Sequence, residues 1–301
     1  MTRLSYFLIL TITVVLFSHG CIQVDTVVKV NADGSGEIEE TFLMNKAFAQ
    51  QMKAMMIGMT QGMKEMNSED KEEETGEMPN SHDKNNTFDI FDESKLQERA
   101  SVLGKDVTYL SGTRIVTAEY EGYKALYAFK DINAMKVDQN PGEQVPSSQL
   151  EPGQRTEGKK EYVTFTHKKG STATLFIKLP AKSDAKASVD VPDESEPSFE
   201  NDQQTGAMMA QMMKLFEGMR ITFSVEVDGT ILETNATHRE GSRVTLIDVE
   251  YGKLIEMPEH FKKIGQAQPK TLQEARLFMK DIPGIKIEFN DEIRILFQGN
   301  N

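Results

Sequence analysis

The sequence predicts an α+β fold: a mostly antiparallel sheet built from hairpins, with amphipathic helices set apart from the strands. Three observations carry that reading. Apolar–polar alternations of strand length recur along the chain, bounded by turn signals such as Asp33-Gly34, Asp228-Gly229 and Glu240-Gly241. Helical spacing occurs in fewer places and does not alternate with the strands one for one, as a parallel α/β sheet would require. Methionine is abundant, 17 residues in 301, and most of it falls in two stripes of helical period.

The first element is a leader. Arg3 gives a positive n-region, and Leu4 to Phe17 is apolar apart from Ser5, Tyr6, Thr11 and Thr13. Ser18-His19-Gly20 and Cys21 follow. This is the layout of an export signal, and the run is short for a membrane span of about 20 residues. Cys21 is the single cysteine, so an exported chain has no internal disulfide to make with it. The stretch resembles the lipobox of bacterial lipoproteins, with Gly20 in the small-residue position before the cysteine. That resemblance implies cleavage before Cys21, a thioether-linked diacylglycerol on its sulfur and a further acyl chain, such as palmitate, on its amine. Two or three chains hold a protein on a membrane far more firmly than one. Ile22 after the cysteine implies, in a Gram-negative cell, the periplasmic face of the outer membrane.

Val24 to Val30 and Ile38 to Met44 then read as a hairpin around Asp33-Gly34. Met52, Met55, Met56, Met59, Met63 and Met66, at spacings of three, four and seven, make the first Met-rich helix. Asn67 to Thr87 is acidic and nearly free of apolar residues, and reads as a disordered linker. Asp92 to Leu103 has Leu96, Ala100 and Leu103 at helical spacing, with Gly104 as a stop. Tyr109 to Phe129 reads as strands broken at Gly112 and Gly122. Residues 139–158 and 183–205 are Pro-, Ser- and acid-bearing loops. Tyr162 to Leu179 is a hairpin about Lys169-Gly170.

Met208, Met209, Met212, Met213 and Met219, with Leu215 and Phe216, form the second Met-rich helix. Arg220 to Val227, Thr230 to Thr237 and Arg243 to Val249 read as three consecutive strands. Thr271 to Lys280 is a helix stopped by Pro283, and Ile285 to Phe289 with Ile293 to Phe297 closes the chain as a hairpin around Asn290-Asp291. The organisation expected is a signal peptide at 1–20, a lipidated N-terminus with hairpin and Met-rich helix at 21–66, a linker at 67–87, and one α+β domain over 88–301.

The charge is −13. Such a chain gains nothing from counterion release on a phosphate backbone, which argues against nucleic acid as a partner. Anionic headgroups repel it, so the acyl anchor has to hold it to a membrane. The histidines left after signal removal, His82, His167, His238 and His260, lack zinc-like spacing and read as scattered surface residues. There is no G-x-S-x-G, phosphate loop or dinucleotide fingerprint. Asn31, Asp33 and Ser35 start like an EF-hand loop, but Phe42 stands where the bidentate glutamate belongs. The expectation is a non-enzyme without metal or cofactor.

The Met stripes admit three readings. They fill the core, they line an adaptable surface for a lipid or partner, or their thioethers bind Cu(I). The second gives the candidate binding residues: Met52, Met55, Met56, Met59, Met209, Met212, Met213 and Phe216.

Two further stretches carry a resemblance. Val28-Lys29-Val30 with Asp33-Gly34-Ser35-Gly36, soon after the lipobox-like cysteine, resembles the opening of many bacterial envelope lipoproteins. Within Ile221 to Leu246, Val225, Val227, Gly229, Ile231, Thr234-Asn235-Ala236, Gly241, Val244 and Thr245 resemble the strand pattern of LppM-like lipoprotein domains, and Pro283 to Glu288 near the C-terminus fits the same broad group. The resemblance implies an α+β envelope domain that holds or carries lipid. The function expected is therefore a lipid-anchored, non-catalytic envelope protein that binds a lipid-like ligand or an apolar partner through its Met-rich helices. The alternative is a structural or assembly subunit of an envelope complex with no small ligand.

Overall fold

The computed structural model describes residues 21–50, 90–138, 162–180, 218–255, 279–280 and 282–300. The leader, most of both Met-rich stretches, the linker at 67–87, the loops at 139–158 and 183–205, and all but the last two residues of the helix expected at 271–280 lie outside them. In chain order the elements are β1 (Ile22–Val30), β2 (Gly36–Asn45), α1 (Glu93–Leu103), β3 (Val107–Val116), β4 (Tyr120–Phe129), β5 (Lys136–Asp138), β6 (Tyr162–Lys168), β7 (Ala173–Lys178), β8 (Arg220–Val227), β9 (Gly229–Thr234), β10 (Arg239–Glu240), β11 (Arg243–Glu250), α2 (Tyr251–Ile255), β12 (Ile285–Ile287) and β13 (Glu292–Gly299).

The fold class is mostly β, which corrects the α+β expectation: among the described residues 59% are strand against 15% helix, in two sheets. The larger sheet runs β10-β11-β8-β1-β2-β4-β3, with β12 also on β11, and the smaller runs β5-β6-β7-β13-β9. The pairs are antiparallel except β1 with β8. Buried residues of both sheets and of α1 form one continuous apolar cluster. A second sheet therefore supplies much of the cover that helices were expected to give.

That second sheet exists because two expected pairings do not form. Arg220–Val227 and the strand after it, Gly229–Thr234, read as neighbours in sequence, yet β8 stays in the larger sheet and β9 pairs with β13 in the smaller. The expected last hairpin divides likewise: β12 joins β11, and β13 inserts between β7 and β9. Each of these chain segments crosses from one layer to the other.

The first hairpin forms as its pattern dictates. Val24, Val28 and Val30 of β1 face the core with Ile38, Phe42 and Met44 of β2. Gly34 takes φ +87 in the turn, a region in which a side chain is strained. Asp33 Oδ1 fixes the turn by accepting from the Ser35 amide at 2.9 Å and its hydroxyl at 2.6 Å. Gly112 and Gly122, expected as breakers, lie inside β3 and β4. At Gly122 a Cβ would stand 1.9 Å from the Phe42 carbonyl oxygen, so glycine here permits a close strand approach. The turn is made instead at Thr117, whose Oγ1 accepts from the Tyr120 amide.

Helix α1 starts at Asp92, whose carboxylate accepts from the Ser94 and Lys95 amides. It packs on β3 and reaches β5, burying Leu96, Ala100 and Leu103. No helix among the described residues is long and apolar enough to cross a membrane, which says nothing about crossing by strands.

Candidate functional site

The expected lipidation residue is placed directly on the sheet. Cys21 is half-buried against the core. Its carbonyl accepts from the Asn45 amide at 2.7 Å. The next residue, Ile22, is already in β1, paired with Met44 and only 6% exposed. No spacer separates the cysteine from the folded domain.

The hydrogen-bond register defines what shares that end of the larger sheet. Beyond the Asn45 pairing with Tyr120 on β4, the Lys46 amide donates to the Glu119 carbonyl at 2.8 Å and its ammonium to the Thr117 carbonyl. These contacts tie the helical residues 46–50 to the β3–β4 turn. On the other side Gln23 pairs with Arg220 of β8. The Tyr251 amide, at the end of β11, donates to the Met219 carbonyl at 2.9 Å. Val116, beside the turn, is 61% exposed.

The expected binding residues Met52, Met55, Met56, Met59, Met209, Met212, Met213 and Phe216 lie outside the described residues. Their neighbours in sequence do not. Residues 46–50 lead into the first stretch and Gly218–Met219 lead out of the second, so both join the sheet at the Cys21 end.

Three buried polar groups stand outside the sequence expectation. Glu40 occupies the core face of β2 and is 3% exposed. Arg99 of α1 meets it with two hydrogen bonds, Nε to Oε2 at 2.5 Å and Nη2 to Oε1 at 2.6 Å. Burial acts to lower the Arg99 pKa, but the charge and hydrogen bonds of Glu40 outweigh it and the net shift is upward. Tyr123 and Tyr127 sit beside the pair. Burial, then the Glu40 charge, pushes Tyr123 up to about 12 and Tyr127 upward as well. The Tyr127 hydroxyl is buried without a hydrogen-bond partner among the described residues. The signal for this pair was in the sequence: Glu40 is in phase with Ile38, Phe42 and Met44, and Arg99 falls between Leu96 and Leu103 on the same stripe.

Glu288 is fully buried. Its carboxylate accepts from the Thr237 amide and hydroxyl, each at 2.7 Å, and from the Phe289 and Asn290 amides at 2.8 and 2.9 Å. It thereby joins the segment after β9 to the segment after β12, where the chain passes between sheets. Nothing in local sequence connects Thr237 with Glu288.

His167, expected at the surface, is 8% exposed. Its amide donates to Asn133 Oδ1 at 2.7 Å, and its ring packs against Gly34 and near Phe297. Burial, then the Lys169 charge, lowers its pKa against the opposing pull of Asp131 and Asp33. His238 Nε2 lies 3.2 Å from the Ile287 carbonyl oxygen. Among the described residues no group of three His, Cys, Asp or Glu is placed to hold a metal ion.

The face of the larger sheet turned away from the apolar cluster carries paired charge around a buried centre at Val27 and Ser224. Lys29 and Lys124 flank Glu39, and Arg220 makes two hydrogen bonds to Asp248. Burial pushes Glu39 up, but the lysine hydrogen bonds outweigh it and hold it below the ordinary carboxylate range.

No family model matches the chain, and no curated protein matches it. Among solved structures it is similar to the folded domain of the Mycobacterium tuberculosis LppM protein, determined by NMR. The two share 7% identity over 95% of each chain, with a TM-score of 0.30.

Proposed function

We propose that this chain is a lipid-anchored, non-catalytic protein of the bacterial envelope. Its ligand is a lipid-like molecule or an apolar partner, taken up by the Met-rich stretches. The observation that carries the reading is the position of Cys21. An apolar leader ends at the single cysteine, and the sheet begins at the very next residue. That junction is what a chain cut before Cys21 and acylated on it needs, because every described strand lies on the retained side.

The ligand half of the proposal rests on chemistry and position. Met52, Met55, Met56 and Met59, and Met209, Met212, Met213 and Phe216, recur at helical spacing. Unbranched thioether side chains adapt to varied apolar shapes. Both stretches join the sheet at the end that carries Cys21. The paired charges on the outward sheet face make that face a poor lipid surface by comparison. Apolar burial would supply the affinity, at roughly 25 cal/mol per Å² before ordering costs.

The test uses the full mature chain with Cys21→Ser, exported behind a cleavable signal and purified without detergent. Native mass spectrometry, with an organic extract of the same sample, is expected to show a defined lipid near one per chain. Met55→Gln with Met59→Gln is expected to lose it while the chain stays folded. An empty, well-folded chain contradicts the ligand half. Unfolding of the double variant assigns the stripe to the core.

A further inference from the structure

The junction at Cys21 also fixes an orientation. We infer that the end of the larger sheet formed by the start of β1, residues 46–50 and the β3–β4 turn rests directly against a lipid surface. The inference rests on the anchored reading above, and adds which part of the molecule meets the bilayer.

A protein held by acyl chains stands off the membrane only as far as the residues after its anchor allow. Here that allowance is absent: the Cys21 carbonyl is already hydrogen-bonded to the Asn45 amide, and Ile22 is buried and paired. Strands in a sheet lie about 4.8 Å apart, so the step from β1 through β2 and β4 to β3 is roughly 15 Å. The β3–β4 turn is therefore a near lateral neighbour of the anchor. The headgroup region on each side of the hydrocarbon is roughly 5–8 Å thick, so groups at this end meet headgroups once the anchor is inserted.

The surface at that end suits such contact. Val116 is 61% exposed, among the largest exposures of any apolar side chain described, and Ala47 and Ala118 are exposed near it. The charged groups of that end are of both signs, Lys46 beside Glu119 and Glu121 and, across β1, Arg220 paired with Asp248, in a chain whose total is −13. A locally mixed end meets less repulsion from headgroups than the acidic whole would. The opposite end carries the Asp33-Gly34 turn and the Lys169-Gly170 turn, which His167 and Gly34 bring together.

The experiment exploits the single cysteine. In the acylated full chain the Cys21 sulfur is consumed as a thioether, so Val116→Cys and Lys169→Cys each introduce one reactive thiol. Each variant is labelled with a fluorophore and reconstituted into phosphatidylcholine vesicles that contain a headgroup-nitroxide lipid. Quenching is expected to be several-fold stronger at position 116 than at 169. Equal quenching at the two positions, or none at either in protein that floats with the vesicles, overturns the orientation. Protein that fails to float, with an unmodified Cys21, overturns the anchored reading instead, and the orientation with it.

Discussion

Arg99 and Glu40 hold each other across the boundary between α1 and the larger sheet, in a place where neither charge has much water. Removing one partner leaves the other buried and uncompensated, whereas replacing both with apolar groups does not. Arg99→Met is therefore expected to cost about 3 kcal/mol, and Glu40→Leu with Arg99→Met together about 1 kcal/mol or less. Urea unfolding of the three proteins checks this; additive losses would contradict the pair. His167 gives a second residue-scale expectation. Its folded pKa lies below the ordinary 6.5, so the unfolded chain binds the proton first as pH falls. The contribution is fully present above about pH 6.5 and is lost as pH falls through the lowered folded value. Thermal melts from pH 7.5 to 5 should show this decline, and His167→Phe should reduce it. An undiminished decline in the variant would assign it to other groups. Gly122→Ala should destabilise by about 1–3 kcal/mol, because the added carbon meets backbone and not a movable side chain.

At the scale of elements, legibility followed the range of the interaction. The first hairpin, the 162–179 hairpin and the helix ending at Leu103 rest on alternation, turn residues and caps within a few positions of each other, and these could be read. Partner choice could not. Ile293 to Phe297 alternates equally well whether it pairs with Ile285 to Ile287 or, as found, with β7 and β9. Period fixes which face is apolar, not which strand lies alongside. The class was misjudged for this reason, since the segments that cross between layers make a second sheet. Glu288 belongs to the same lesson, because its partner Thr237 is distant in sequence. Its position predicts that Glu288→Ala leaves several buried donors unmatched and costs about 3 kcal/mol or more. Hydrogen exchange should then rise first in the segments around Thr237 and Asn290. Uniform exchange at unchanged stability would deny it the role of joining the layers.

For the whole molecule, both sheets share one apolar cluster, so the described part is expected to unfold as a unit. The candidate site was legible only in part. Cys21 was singled out because the features that propose an anchor, a charged start, an apolar run and a small residue before the cysteine, lie in one contiguous stretch. Its lack of a spacer could not, since that depends on Asn45 closing onto its carbonyl. The Met residues were chosen from spacing, and their packing lies outside the described residues. The most direct measurement is the mass of the N-terminal peptide of the mature chain, made in a bacterium that processes lipoproteins and released by protease from its membranes. The account predicts a peptide that begins at Cys21 and carries diacylglycerol on the sulfur. An unmodified Cys21, or a chain that begins at any other residue, would contradict it.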